Sequence, residues 1–142
     1  MAENADSREP SLRWAVLEHD FPFLHWDLLL ERQFTAAAMT WRLLRRPVCG
    51  EPIAAEALAD HRVAYFDYEG PVSGGRGQVR RLDRGEWGEF RSDQDRSWAP
   101  VCVWSWPCSV VLRIEFRGGV GFGRGELGLT ADGRLFWRFS EA

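Results

Sequence analysis

The chain has 142 residues and a net charge of −3, with 45% hydrophobic and 27% charged residues, as in an ordinary folded domain. Its length suits one domain, which we place at residues 12–140, behind a polar N-terminal tail at residues 1–11. No apolar run approaches the roughly 20 residues of a membrane span, and the start lacks the basic and apolar regions of a secretory signal. We therefore expect no membrane partner and a cytoplasmic location, and the negative charge argues against bulk electrostatic attraction to nucleic acid.

Short segments in which apolar residues alternate with polar ones run along most of the chain. In order they are LRWAVLEH, HWDLLLE, MTWRLL, RVAYFDY, GQVRRL, GEWGEF, SVVLRIEF, GELGLT and GRLFWRF. Gly, Pro, Asp and Ser bound these segments, and Asp132-Gly133 predicts a hairpin turn before the last one. Residues 51–61 alone are typical of a short helix, while residues 91–100 predict a polar loop and residues 117–125 a glycine-rich turn. The pattern predicts an all-β barrel or sandwich.

The cysteines provide no structural framework. Cys49, Cys102 and Cys108 are odd in number and include no CxxC pair, which predicts neither a disulfide set nor a zinc knuckle. We expect them to be buried free thiols.

Two of the three histidines lie in the segment LEHDFPFLHWDLLLE. His25 and Asp27 share one face of a strand, because residues i and i+2 point the same way. A turn at residues 20–22, where Pro22 cannot donate to a strand ladder, brings His19 beside them. Two imidazoles and one carboxylate form a ligand set that suits Mn²⁺, Fe²⁺ or Zn²⁺. The alternative is that these histidines are half-buried and pack beside aromatic residues.

A second group of polar residues follows in DHRVAYFDYEG. His61 and Tyr65 stand near Asp67 and Glu69 within an apolar strand pattern. Titratable groups in such surroundings often mark a functional site.

These two segments resemble the 3′-phosphoesterase domain of bacterial DNA ligase D. EHDFPFLHWDLLLE is similar to that family's first signature: a His, five residues, His, any residue, Asp, and then Leu-Arg-Leu-Glu. HRVAYFDYEGPVSGG, followed by VRRLDRGEW, is similar to its second block. The resemblance covers roughly residues 14–87, and the C-terminal strands follow it only in style.

The resemblance implies a closed or nearly closed β-barrel of about eight strands with one or two short helices and an active site in an exterior groove. It implies a metal-dependent phosphoesterase that removes 3′-phosphates or 3′-ribonucleotides from DNA or RNA-tailed DNA ends during repair. His19, His25 and Asp27 correspond to the metal ligands, with Mn²⁺ as the expected metal and Zn²⁺ or Fe²⁺ as alternatives. His61 and Tyr65 correspond to the phosphate-contacting and catalytic pair. Nucleic-acid 3′ ends are the expected partner, and any ligase or polymerase activity belongs to separate chains.

The chain departs from the family where the family binds phosphate. Leu29 replaces the Arg of the first signature, on the face where a side chain is expected to reach the phosphate, and residues 50–61 contain no Arg. All the Lys+Arg positions are arginine, and they form two clusters that can hold a phosphate backbone: Arg42 with its neighbours at 45 and 46, and Arg76 with Arg80 and those at 81 and 84. Arg76 is the residue expected to supply the missing positive charge. Arg76 and Arg80 are the predicted phosphate-binding or nucleic-acid-binding residues, since arginine binds phosphate in a bidentate manner. A solvated surface face is the alternative for each.

Two other functions remain open at this stage. A catalytically impaired family member would bind a metal or a nucleic-acid end without cleaving it, and in that case Leu29→Arg is predicted to raise activity. A structural domain without a site would present Trp98, Trp104 and Trp106 as a partner-binding patch or pack them in its core.

Overall fold

The computed structural model describes residues 11–89 and 108–141. The strands in these ranges are β1 (Leu12–His19), β2 (His25–Glu31), β3 (Ala37–Leu43), β4 (Ile53–Arg62), β5 (Gly70–Pro71), β6 (Gln78–Glu89), β7 (Cys108–Arg117), β8 (Arg124–Thr130) and β9 (Leu135–Ser140). A 3₁₀ helix, Val63–Asp67, connects β4 to β5. The predicted tail up to residue 10, the loop at 91–100 and the tryptophans at 98, 104 and 106 lie outside the described residues.

Eight of these strands form a closed antiparallel barrel. Their order is β1-β2-β3-β4-β9-β8-β7-β6, and β6 pairs back with β1. Closure leaves the barrel without an unpaired edge. The ninth strand, β5, pairs with the first residues of β6 outside the ring. The prediction of an all-β barrel of about eight strands is therefore confirmed.

The barrel interior is filled by large apolar side chains, and every strand of the ring contributes at least one. The buried members are Trp14, Val16, Leu28, Leu30, Trp41, Leu43, Ile53, Ala55, Trp87, Ile114, Phe116, Phe122, Leu127, Trp137 and Phe139. Within β1 and β2 these are the even-numbered residues, as the alternation along a strand requires. Odd-numbered residues of the same strands consequently point outward.

The outward face of β1, β2, β3 and β6 carries a second, smaller apolar cluster. Its buried members are Ala15, Leu17, Leu29, Ala38, Phe66 and Val79. Phe66 belongs to the 3₁₀ helix, which therefore covers this face of the barrel. Much of both faces of β1 and β2 is buried for this reason, and the three successive leucines of β2, at residues 28–30, are all buried.

Two predictions about local structure are wrong. Residues 51–61 do not form a helix, because Ile53 to Arg62 form β4, which closes the barrel between β3 and β9. The alanines favour a helix locally, but the pairing with both neighbours outweighs a propensity of a few tenths of a kcal/mol per residue. The segment RVAYFDY is not a strand, since residues 63–67 form the 3₁₀ helix.

The predicted hairpin turn is confirmed, whereas the prediction of buried cysteines is wrong for one residue. The hairpin between β8 and β9 forms as predicted, with Gly133 at a φ of 87°, a conformation that glycine tolerates. Its hydrogen bonds run from the Thr130 hydroxyl to Asp132 and from Arg134 Nε to the same carboxylate, 3.1 Å away.

The prediction of a buried thiol is wrong for Cys49, which is exposed in the loop after β3. Among the residues that the structure describes, no helix has the length and apolar character that a membrane crossing requires.

Candidate functional site

The hairpin of β1 and β2 places the first two histidines side by side. His19 ends β1, His25 begins β2, and the two are direct partners in the antiparallel register. Their ring centroids lie 5.1 Å apart. The connection contains Pro22, as predicted, and the Asp20 carboxylate fastens it to β6 by accepting the Gln78 backbone N–H at 2.7 Å. The turn therefore brings His19 beside His25, as the sequence predicted.

Asp27 completes a group of three potential metal ligands. One ligand atom each from His19, His25 and Asp27 lies within 4.8 Å of the others. Asp27 is 4% exposed, and its Oδ1 makes no hydrogen bond within the described part of the chain. His25 Nε2 lies 3.3 Å from Oδ1. A buried carboxylate oxygen without a hydrogen bond is costly, and a cation satisfies it.

Backbone carbonyl groups hold both imidazoles in place. His19 Nε2 lies 2.8 Å from the Arg76 carbonyl oxygen, and His25 Nδ1 lies 2.9 Å from that of Phe23. Each ring therefore keeps its other nitrogen for a ligand, in the arrangement by which metal-binding histidines are usually oriented. Burial of the His25 imidazole opposes its protonation, but Asp27 and the Phe23 carbonyl outweigh this effect and raise the pKa of His25. The three residues fit a divalent cation in both donor chemistry and orientation.

His61 and Tyr65 stand on the other side of Asp27. His61 Nε2 lies 3.9 Å from Asp27 Oδ2, and the Tyr65 ring centroid lies 5.6 Å from that of His61. The end of β4 positions the histidine, and the 3₁₀ helix positions the tyrosine. The structure thus brings together all five residues predicted as metal ligands or catalytic residues.

The two acidic residues of the same segment have other partners. Asp67 Oδ2 faces Arg13 Nη1 at 3.5 Å, and Glu69 Oε2 accepts the Arg81 backbone N–H at 2.8 Å. Neither carboxylate lines the groove described next.

A groove of about 400 Å³ runs past the candidate metal ligands on the outside of the barrel. Its polar lining includes His19, Asp27, Arg42, His61, Tyr65 and Arg76. The location agrees with the exterior site that the resemblance implies. A groove with convergent polar groups is the usual form of a small-ligand or active site.

The two predicted phosphate-binding arginines are placed differently. Arg76 lines the groove, with its Nε donating to the Ser73 carbonyl at 2.8 Å. Arg80 is not part of the groove lining, and its Nη2 donates to Glu18 Oε1 at 3.0 Å. Arg80 is the register partner of Glu18 in the pairing of β6 with β1. Glu18 lies between Leu17 and His19 in β1, so this pair faces the opposite side of the sheet from those two residues. Only Arg76 is therefore positioned beside the candidate ligands.

Arg42 is a groove residue that the sequence alone did not assign to the site. It lies on β3 directly opposite Asp27 in the register, and its guanidinium carbon is 5.3 Å from the centroid of the Phe23 ring. Its Nε is buried without a hydrogen bond to any described residue, and its nearest carboxylate, on Glu56, is 3.8 Å away. Strand alternation predicts that Arg42 points away from buried Trp41, but only the pairing of β3 with β2 shows that it faces Asp27.

Leu29 does not reach the groove. Its side chain is 0% exposed and belongs to the outer apolar cluster together with Leu17 and Phe66. The expectation that this position contacts phosphate is therefore wrong for this chain, because the 3₁₀ helix covers it.

Comparison of the chain with protein-family models and with curated proteins finds no match. The geometry itself defines the chemistry that is available: two oriented imidazoles, an unpaired buried carboxylate oxygen, and nearby His61, Tyr65 and Arg42. Such a set can bind a cation and an anion side by side, which is what hydrolysis of a phosphoester requires.

Proposed function

We propose that this protein is a metal-dependent phosphoesterase of the DNA ligase D 3′-phosphoesterase type, which removes a 3′-phosphate or a 3′-ribonucleotide from nucleic-acid ends. The observation that carries the proposal is the close approach of the His19, His25 and Asp27 ligand atoms, within 4.8 Å, beside a groove whose lining includes His61 and Tyr65. The two sequence blocks support it independently of the geometry, since they predicted the same five residues.

His19, His25 and Asp27 would hold the metal, with Mn²⁺ expected first and Zn²⁺ or Fe²⁺ as alternatives. When bound, the metal polarises a phosphoryl oxygen and activates water. His61 stands beside Asp27 and is placed to donate a proton to the leaving oxygen. The Tyr65 hydroxyl is a donor for a second phosphoryl oxygen on the same side of the groove.

Arg42 takes the phosphate-binding role that Leu29 does not fill. Its position opposite Asp27 sets a fixed positive charge beside the cation-binding carboxylate. Its Nε makes no hydrogen bond within the described part of the chain, so this donor is available to a ligand. A charge-assisted hydrogen bond to phosphate contributes about 1.5–3 kcal/mol, which corresponds to roughly a 10- to 100-fold effect on kcat/KM.

The test is cleavage of a primer–template that carries a 3′-phosphate or a 3′-terminal ribonucleotide, in the presence of Mn²⁺. Wild-type protein is expected to release phosphate or a nucleoside, and His19→Ala is expected not to. Arg42→Gln is expected to lower kcat/KM by about 10- to 100-fold, whereas Arg80→Gln, outside the groove, serves as the matched control. Absence of metal-dependent release from both ends by folded wild-type protein would overturn the proposal.

One observation favours a second function, a binding module that holds a metal and a nucleic-acid end without cleaving it. Leu29 is buried, and no arginine occurs in residues 50–61, so two of the family's phosphate contacts are missing. This function predicts Mn²⁺-dependent retention of a 3′-phosphorylated oligonucleotide without turnover. Release of phosphate in the cleavage assay would exclude it.

A further inference from the structure

A second cavity, of about 480 Å³, adjoins the groove on the side of the 3₁₀ helix. Both cavities share Arg62, Tyr65 and Val72 in their walls. The remaining lining residues of the second cavity are Ala64, Tyr68, Pro71 and Ser73. The two cavities are therefore neighbours that share part of a wall, and we call the second one the tyrosine pocket.

Two aromatic rings form the walls of the tyrosine pocket. The Tyr65 and Tyr68 centroids lie 6.4 Å apart, with the ring planes at 87°. The Tyr68 hydroxyl donates to the Pro71 carbonyl oxygen, which anchors the ring to the segment after the 3₁₀ helix. The pocket thus offers flat π-surfaces whose positions are set by the fold, rather than a flexible apolar patch.

Arginine side chains line the two cavities where they adjoin, and the groove also contains the carboxylates of Asp27 and Asp60. Arg62 lies in the shared wall, and its side chain makes no hydrogen bond or ion pair with the residues that the structure describes. Arg42 and Arg76 line the groove beyond it. A ligand with an aromatic part for the tyrosine pocket and an anionic part for these arginines therefore suits both cavities.

We propose that the tyrosine pocket binds the base of the terminal nucleotide while its 3′-phosphate lies in the groove, with Arg62, which lines both cavities, contacting that phosphate. The inference rests on the proposed function and deepens it, because it assigns a place to the base of the terminal nucleotide as well as to its 3′-phosphate. Stacking on aromatic side chains is tolerant of base identity, since every base has a π-face. The pocket is therefore expected to select for the presence of a base and not for its sequence.

The test is a calorimetric titration without divalent metal, in which adenosine 3′-monophosphate is compared with methyl β-D-ribofuranoside 3-phosphate. Both carry the 3-phosphate on a β-ribofuranose ring, so the difference in affinity reports the base. Wild-type protein is expected to bind the nucleotide about 10-fold more tightly. Equal affinity for the two ligands would overturn the proposal.

Variants locate the effect in the pocket. Tyr68→Ala is expected to abolish the preference, and Tyr68→Phe, which keeps the ring, is expected to retain it. Phe34→Ala is the control for loss of an exposed aromatic ring, since Phe34 is 92% exposed and lines neither cavity. Tyr68→Leu replaces the alanine variant if that variant does not fold. A preference that survives both Tyr68→Ala and Tyr68→Leu would contradict the assignment.

Failure of this inference can be distinguished from failure of the proposed function. A base preference that depends on Tyr68, in a protein that cleaves nothing with Mn²⁺, would support the pocket and reject the phosphoesterase. Cleavage of a 3′-phosphate with no base preference in the titration would do the reverse.

Discussion

Replacing Leu29 with arginine restores the residue of the resembling phosphoesterases, but we expect the substitution to destabilise this barrel instead of raising activity. Leu29 is 0% exposed, beneath the 3₁₀ helix. It packs in the outer cluster with Ala15, Leu17, Ala38, Phe66 and Val79. The side chains of these neighbours offer no acceptor for a guanidinium, and the Phe66 carbonyl oxygen already accepts from Arg81. An arginine here would have to remain buried without a partner or push the 3₁₀ helix away.

The size of the effect follows from burial. Removing a fully buried leucine side chain forfeits about 2–3 kcal/mol of hydrophobic stabilisation. An unpaired charge adds a desolvation cost of several kcal/mol. The sum, about 5 kcal/mol or more, is comparable with the entire free energy of unfolding of a small domain, roughly 5–15 kcal/mol.

Urea denaturation followed by tryptophan fluorescence measures this change. Leu29→Met conserves the volume and is expected to cost less than about 1.5 kcal/mol, so it controls for substitution at the site. Circular dichroism of the arginine variant separates unfolding from a local change. A folded Leu29→Arg variant with a midpoint close to that of Leu29→Met and with increased phosphate release would refute the reasoning. Leu29 would then have to face the groove.

Three further predictions follow from other parts of the structure. Gly85→Ala is expected to destabilise the protein by at least about 2 kcal/mol, because the new Cβ would lie 1.8 Å from a backbone carbonyl oxygen of β7. Gly88→Ala, whose Cβ would lie 3.6 Å from its nearest atom, is expected to be neutral or slightly stabilising, and thermal denaturation compares the two variants. Asp27→Asn is expected to weaken Mn²⁺ binding at least about 10-fold by calorimetry, whereas Asp20→Asn, at the carboxylate that fastens the turn, is expected to leave it within about twofold. Hydrogen bonds from the threonine hydroxyl and the arginine of the β8–β9 hairpin lower the pKa of Asp132, so its stabilising contribution is present above the usual carboxyl pKa of about 4 and is lost as the pH falls below it. The difference in unfolding midpoint between wild type and Asp132→Asn is therefore expected to shrink below about pH 4, and a constant difference from pH 7 to pH 3 would contradict this.

The agreement between sequence and structure at the candidate metal ligands has a local cause. His19, His25 and Asp27 lie within nine residues of sequence, on one hairpin, so strand alternation and one turn are enough to bring them together. His61 and Tyr65 could be added only through the resemblance, because they reach Asp27 across the pairing of β3 with β4. Arg42 shows the limit of local reasoning, since its neighbour Trp41 reveals which way it points but not which strand it faces.

The sequence by itself determined the all-β class, most of the strands and the hairpin that carries the candidate metal ligands, because these depend on alternation and turn chemistry over a few residues. Only the tertiary structure decided that residues 53–62 form a strand, since that choice depends on closing the ring between β3 and β9. It alone decided that Leu29 is covered while Arg42 is free to meet a ligand, because burial is set by how the 3₁₀ helix lies across the barrel. The tyrosine pocket depends on the same placement, which no local pattern in the sequence specifies.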